Sequence, residues 1–227
     1  MFNRVMTYSA GLRKAAQRTL TLCITLLVLA PNVQAARPMS VEDGGVDDTG
    51  TGHVDMWFAR SSGKVYSRNI TFAYSPVDAI ELNLSHARNY VTSRDDTQSA
   101  LVKWNALKAE DESWRITLTA AINESHSGTR SKALNVIASS YQKLANLHAN
   151  LGTSHANNGL NSTTWGLAVE HAFSKIVAHA EFFGQERIKP TLQFGARYNP
   201  TPWLQIDGTI GKTNRDTLYS LGSKISF

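Results

Sequence analysis

Apolar and polar residues alternate one by one over long stretches of this chain. In the stretch 114–123, apolar residues occupy the even positions, and Arg115, Thr117, Thr119 and Asn123 lie between them. The same period of two recurs in the stretches 80–85, 192–198 and 204–210. Successive side chains of a β-strand point to opposite faces, so this pattern predicts strands with one apolar and one polar face.

Turn signals divide residues 52–227 into segments of about ten residues, the length that a tilted strand needs to cross a bilayer. The predicted strands are 52–60, 65–75, 79–89, 97–107, 114–124, 133–140, 144–152, 164–172, 176–184, 190–199, 203–212 and 216–227. Aromatic residues occupy strand ends, as in the two belts of a membrane barrel; they are Tyr74, Trp104, Trp114, Trp165, Tyr198, Trp203 and Tyr219. The pattern predicts an all-β protein, an antiparallel transmembrane β-barrel of about twelve strands.

Two alternatives to this fold remain open from the sequence. Residues 132–151 also carry apolar residues at a spacing of three and four, which would suit an amphipathic helix. We favour two strands there, because Leu147, Ala149 and Leu151 alternate with polar residues. A soluble periplasmic β-sandwich would show the same alternation as a barrel, with the apolar faces forming its core.

The first 35 residues have the organisation of a cleaved signal peptide. Four basic residues precede an apolar run from Leu20 to Ala30, Pro31 ends the run, and Val33-Gln34-Ala35 provides a small-residue cleavage site. The run is about half the length of a membrane-spanning helix. The predicted organisation is therefore a signal peptide at 1–35, a flexible periplasmic lead-in at 36–51 and the barrel at 52–227.

The mature chain differs from the whole chain in net charge and in cysteine content. The formal net charge of +5 includes four basic residues of the leader, so the mature chain carries 19 basic and 18 acidic residues. A nearly neutral chain without a Lys/Arg-rich stripe argues against nucleic-acid binding. Cys23, the single cysteine, leaves with the leader, which excludes disulfides and thiolate metal sites.

The last predicted strand has the features of a signal for assembly into the outer membrane. Tyr219 and Phe227 lie on its apolar face, and Phe227 ends the chain. This segment resembles the C-terminal signal that the barrel-assembly machinery reads. Together with the leader, it predicts an outer-membrane location in a Gram-negative bacterium, with lipid and the assembly machinery as partners.

Several short segments carry a resemblance to a known family. Arg37-Pro38-Met39-Ser40-Val41-Glu42-Asp43 and Gly50-Thr51-Gly52-His53-Val54-Asp55 resemble the start of transporter-like barrels grouped with the phenol-degradation outer-membrane family. The segments 147–152, 164–166, 181–184 and 205–209 resemble barrel hairpins of the same group. The resemblance implies a porin-like barrel, and it carries over no functional residue.

Strand parity predicts which charged residues face the lumen. These are Glu81, Lys103, Arg115, His148, Glu170, His179, Glu181, Arg197, Asp207 and Lys224. They would line a narrow polar path for small solutes, or they would pair across the barrel and seal it. We predict a channel, with the sealed barrel as the alternative.

The sequence offers little support for catalysis or for a bound cofactor. His126-Ser127 is the one place after the leader where a serine directly follows a histidine, and no third residue is placed to orient the imidazole. The seven histidines show no pair at metal-ligand spacing. We therefore expect no enzyme activity, no metal and no cofactor.

Overall fold

A computed structural model of the protein describes residues 39–62, 65–90, 94–214 and 216–227, without the side chains of Arg94 and Asp95. The predicted signal peptide, residues 1–35, lies outside the described residues. Within them, no helix is long and apolar enough to cross a membrane.

Twelve strands form the structure. They are β1 (Gly52–Ser61), β2 (Tyr66–Val77), β3 (Ile80–Tyr90), β4 (Arg94–Lys108), β5 (Trp114–Ser125), β6 (Arg130–Tyr141), β7 (Asn146–Ala156), β8 (Asn161–Phe173), β9 (Ile176–Gln185), β10 (Thr191–Thr201), β11 (Leu204–Thr213) and β12 (Asp216–Ser226). Each strand pairs with the next, and β1 pairs antiparallel with β12, which closes the barrel. The predicted fold and strand number are confirmed.

The stretch that also suited a helix forms two strands. β6 and β7 pair along their whole length, from Tyr141↔Asn146 at the turn to Ser131↔Ala156. Leu147 and Leu151 point outward, while His148 between them is buried inside the barrel. The helical alternative for residues 132–151 is wrong. One face of this hairpin belongs to the apolar outer wall, and the other faces the lumen.

The outer wall of the barrel carries a wide apolar band. Leu84, Ile122, Leu134, Leu151 and Leu221 each expose more than 60% of their surface. Outward-facing aromatic residues form a belt at each end; one contains Tyr74, Trp104, Trp114, Phe173, Tyr198, Trp203 and Phe227, and the other Phe58, Tyr66, Tyr90, Trp165, Phe182 and Tyr219. Such a surface matches a bilayer and would aggregate in water. The soluble sandwich alternative is therefore wrong.

Both ends of the barrel wall meet at one rim, which we call the termini end; the opposite rim is the far end. The backbones of Gly52 and Phe227 exchange two hydrogen bonds of 2.9 Å there. The Phe227 ring stacks on Phe72 with centroids 5.8 Å apart. A side chain at Gly52 would approach the Ala73 carbonyl oxygen to 2.4 Å, so the close strand contact at this junction requires glycine. Tyr219 and Phe227 both face outward.

Two of the turns at the termini end contain proline. The β2–β3 pairing shifts register between Tyr74 and Val77, around Pro76, and the β10–β11 pairing shifts between Tyr198 and Thr201, around Pro200. Proline has no N–H to give to a strand ladder, so it is accommodated at irregular positions of this kind. The connections between strands are two to five residues long at both ends of the barrel.

Residues 39–48, which we call the lumen segment, lie inside the barrel. Val41 exposes 1% of its surface, Asp43 3% and Met39 6%. The turn Asp48–Thr51 then reverses the chain into β1; Thr51 N donates to Asp48 O at 3.0 Å, and Gly50 adopts a φ of 83°. The prediction of a flexible lead-in over residues 36–51 does not describe this segment, because the inner wall offers it hydrogen bonds and charges.

Candidate functional site: the barrel lumen

The lumen segment is held to the inner wall through its own backbone. The N–H groups of Ser40 and Val41 donate to Glu181 Oε2 at 2.7 and 2.8 Å. Further along, Gly44 N donates to Ser139 Oγ at 2.7 Å, and Thr117 Oγ1 donates to Gly44 O at 2.6 Å. Wall side chains thus act as the hydrogen-bonding partners that a neighbouring strand would otherwise supply.

An amide of the wall binds the same segment at one further residue. In the amide orientation that satisfies both groups, Asn150 donates to Glu42 O at 2.9 Å and accepts from Glu42 N at 2.7 Å. These two bonds imitate a pair in a β-ladder. Side chains of β5, β6, β7 and β9 therefore bind the backbone of the lumen segment. All these hydrogen bonds form together only when the segment lies in one position.

Acidic residues of the lumen segment lie against basic residues of the wall. Lys103 Nζ is 3.7 Å from Asp43 Oδ1, and Lys224 Nζ is 3.8 Å from Asp47 Oδ1. His53 Nδ1 lies 2.5 Å from Asp47 Oδ2. Because these groups are largely removed from water, their attraction is screened less than that of surface pairs. Charge complementarity therefore fixes the position of this polar segment.

A small apolar cluster holds the other end of the segment. Met39 and Val41 pack with Ala168 of β8, and Phe183 of β9 covers them. Gly166 is necessary for this contact, because a Cβ there would come within 2.6 Å of Val41 Cγ2. Gly44 is similarly confined, with a Cβ only 2.9 Å from Arg115 Cγ. Both glycines let two backbones approach closely.

All ten charged residues predicted for the lumen are on the inner wall. Eight of them are buried: Glu81, His148, Glu170, His179, Glu181, Arg197, Asp207 and Lys224. Lys224 is 9% exposed, and the side chains of Lys103 and Arg115 are 12% and 11% exposed. Every one of them lies within about six residues of the termini end of its strand. This half of the lumen therefore contains the charges.

These wall residues also pair among themselves. Arg197 Nη2 contacts Glu170 Oε1, and His148 Nε2 lies 3.7 Å from Glu170 Oε2. His179 Nδ1 lies 3.3 Å from Glu181 Oε1, which also accepts a hydrogen bond from Gln193. Arg115 is stacked over the Tyr141 ring at 4.8 Å. The paired charges fill space that a wide pore would leave to water.

One cluster in this half has the spacing of a metal site. The ligand atoms of Asp47, His53 and Glu81 all lie within 4.8 Å of one another. The ammonium group of Lys224 already provides a positive charge beside Asp47, and Asp47 N donates to Glu81 Oε2 at 3.0 Å. We assign the three residues to the docking of the lumen segment.

The half of the lumen toward the far end has a different chemistry. Most inward-facing residues there are small or amide-bearing, among them Asn69, Ser85, Ser99, Asn123, Asn135, Ser154 and Thr164; Trp57 and Phe183 are large exceptions. Among the strand side chains that the structure describes, Asp216 at the rim is the charged residue facing this space. A cavity of about 370 Å³ lies here above the lumen segment, between β6 and β10. Uncharged hydrogen-bonding groups thus line the open part.

A closed, polar-lined barrel with an apolar band on its outer wall is the architecture of outer-membrane β-barrels. Solved structures that resemble it include two porins and a further outer-membrane protein. A KdgM porin in complex with disordered oligogalacturonate has a TM-score of 0.68 at 10% identity, covering 77% of this chain and 99% of that one. The NanC porin has a TM-score of 0.62 at 12% identity, covering 76% and 98%. Omp33 of Acinetobacter baumannii has a TM-score of 0.50 at 13% identity, covering 78% and 98%.

By sequence, the chain belongs to the family described as "uncharacterised conserved protein UCP029691", whose model matches residues 24–227. No curated protein sequence matches the chain significantly. The porins are covered almost completely by about three quarters of this chain, so the remaining quarter has no counterpart in them. The fold is therefore that of porins, with additional chain.

Sequence reasoning placed the charged wall residues but missed Met39, Val41, Asp43, Gly44 and Asp47 as part of the same site. A short polar segment before a strand has the composition of a linker. The available signal was the alignment of strand ends, since all ten predicted charged inward positions fall on the same half of the barrel. Buried charges at one end require partners, and the acidic segment directly precedes β1, which begins at that end.

Proposed function

We propose that this protein is an outer-membrane channel for small solutes whose lumen is closed by residues 39–48. The observation that carries this proposal is a largely polar inner wall with a separate polypeptide segment docked across it. A purely structural barrel could fill its lumen with side chains of the wall and would need no separate segment. The similarity in fold to the KdgM and NanC porins supports the same proposal.

The docked segment also favours a second candidate, a sealed barrel without a conducting pathway. Val41 and Asp43 are buried, and Arg197 and Glu170 are paired behind them. If the segment never leaves, the protein would serve as a structural or lipid-interacting barrel. The two candidates differ in one property, which is whether removal of the segment opens a continuous path.

Conductance of two forms of the protein separates these candidates. The chain from Ala36 onward and a variant in which residues 39–48 are replaced by a Gly/Ser linker of equal length are refolded and inserted into planar bilayers. We expect rare, small openings from the first and steady, larger conductance steps from the second. Heat-modifiable migration on a gel verifies that both are folded. A folded linker variant that stays silent would identify the sealed barrel.

Three narrower expectations accompany the proposal. The relationship to the phenol-degradation family stays a prediction that rests on the short segments 37–43 and 50–55. We expect no enzyme activity, because the described lumen is organised around ion pairs and a docked segment rather than an exposed nucleophile and base. Phe227 and Tyr219 are proposed as the signal for the assembly machinery, and their outward position leaves them accessible to it.

A further inference from the structure

The cavity above the lumen segment has the form of a cup, which we define by its floor, wall and rim. The floor contains Ser40 and Glu42 of the lumen segment, and the wall is formed by β6 to β10. Lys189, in the connection between β9 and β10, stands at the rim. Its volume of about 370 Å³ falls at the lower end of the roughly 300 to 1,000 Å³ of small-molecule sites.

We propose that this cup binds an uncharged, polyhydroxylated solute of about the size of a monosaccharide. The inference extends the proposed function by naming the class of solute that the lumen accepts. It rests on three features: the groups that line the cup, an unsatisfied polar atom in its wall, and the distribution of charges around it.

Hydroxyl and amide groups share the wall of the cup with apolar residues such as Ile188. Asn135, Thr164, Gln185 and Thr191 face it, and together they provide both donors and acceptors. Phe183 adds one aromatic surface. Sugar rings present hydroxyl groups at their edges and C–H groups on their faces, so they match a site that combines amides with one aromatic ring.

One of these polar atoms is buried and accepts no hydrogen bond from the described residues, namely Asn135 Oδ1. Leaving such an atom unsatisfied costs about 1 to 3 kcal/mol. Gly152 lets the strands pack closely beside it, because a Cβ there would approach Thr164 Oγ1 to 2.7 Å and Asn135 Oδ1 to 3.1 Å. The Asn135 amide therefore has a hydrogen-bonding capacity at the wall of the cup that the described residues leave unused.

The charge distribution argues against an acidic sugar as the solute. The basic residues of the inner wall, Lys103, Arg115, Arg197 and Lys224, lie in the termini half and contact the lumen segment or wall partners. On the wall of the cup, no described strand residue is charged; Glu42 in the floor and Lys189 at the rim oppose each other. A carboxylate in the cup would gain no net attraction from its surroundings.

Galactose and galacturonate provide the test, because they have the same ring and differ by one carboxylate. Saturation-transfer NMR is recorded with each sugar on the full chain from Ala36, folded in detergent. We expect contact with galactose and a weaker signal from galacturonate. Thr164→Val and Asn135→Ala should each weaken galactose binding by about fivefold, the effect of one lost hydrogen bond. Ser85→Ala, on β3 at the other side of the lumen, should leave binding unchanged.

Three results would overturn the inference. These are equal or tighter binding of galacturonate, no binding of either sugar, and binding that Thr164→Val and Asn135→Ala leave intact. Conductance of the linker variant is recorded in parallel. Conductance without sugar binding would remove this inference and keep the channel, whereas sugar binding by a silent barrel would keep the binding site and remove the channel.

Discussion

The inward-facing polar groups of the lumen find their partners in opposite ways in the two halves of the barrel. In the termini half, ionised side chains are packed against each other and against the lumen segment, so little water is needed to satisfy them. In the far half, neutral hydroxyls and amides surround an open cavity. Buried charges require specific partners, whereas neutral polar groups tolerate either water or a solute.

The difference indicates that the termini half is the rigid part and the far half the adaptable part. Each charged residue near Gly52 depends on a partner at a defined distance, so a change at one residue affects several others. A small hydroxyl such as Ser154 or Ser99 has no comparable dependence. Substitutions in the two halves should therefore have unequal costs, and this inequality can be measured.

The largest effect is expected from Glu170→Leu. This change removes the carboxylate that faces the fully buried Arg197 guanidinium, which costs about 3 to 5 kcal/mol in comparable buried pairs. Urea titration of the refolded barrel in lipid vesicles measures the free energy of unfolding. Ser154→Ala is the matched change in the far half and should cost less than about 0.5 kcal/mol. Equal costs at the two positions would contradict the comparison.

A smaller effect is expected from Gly166→Ala. The added methyl group overlaps Val41 Cγ2, so docking of the lumen segment should weaken by about 1 to 3 kcal/mol. Single-channel recording should show more frequent opening than in the unaltered chain. Gly208→Ala serves as the control, because a Cβ there comes no closer than 3.9 Å to its nearest neighbour. An unchanged open probability for Gly166→Ala would mean that Val41 does not determine docking.

Asp43→Asn tests the charge component of docking alone. The amide keeps the acceptor that Gly45 N uses, but it loses the charge opposite Lys103, and we expect a cost of about 1 kcal/mol. The reporter is Val46→Cys, since no other cysteine follows the predicted signal peptide. Its reaction with a water-soluble maleimide should accelerate about fivefold. Asp48→Asn, at the exposed turn, should leave the labelling rate unchanged.

The smallest effect on stability is expected from a charge introduced into the far half. Ser99→Lys places an ammonium group in open, polar space, so unfolding should shift by less than about 0.5 kcal/mol. In the Gly/Ser linker variant, it should also move ion selectivity toward anions, measured as a reversal potential in a salt gradient. Thr117→Lys is the counterpart in the termini half. Since Thr117 is fully buried against Gly44, its substitution should be clearly more destabilising.

The wall of the barrel was predictable from sequence because its pattern is local. Alternation at Leu204, Ile206 and Ile210 specifies which side faces lipid, and a one-residue slip would reverse every side chain of the strand. The contacts of Val41 with Gly166 and of Ser40 with Glu181 join residues more than 100 positions apart and follow no period. Such contacts depend on the closed barrel and leave no repeating pattern in the sequence.

The covalent link through the turn Asp48–Thr51 makes the lumen segment a tethered ligand. After release, the turn keeps the segment close to its own binding groove. Short flexible tethers give effective concentrations roughly in the millimolar range. Rebinding is therefore independent of how much protein the membrane contains. A free peptide with the sequence of residues 39–48 would have to reach a similar concentration before it could compete for the wall.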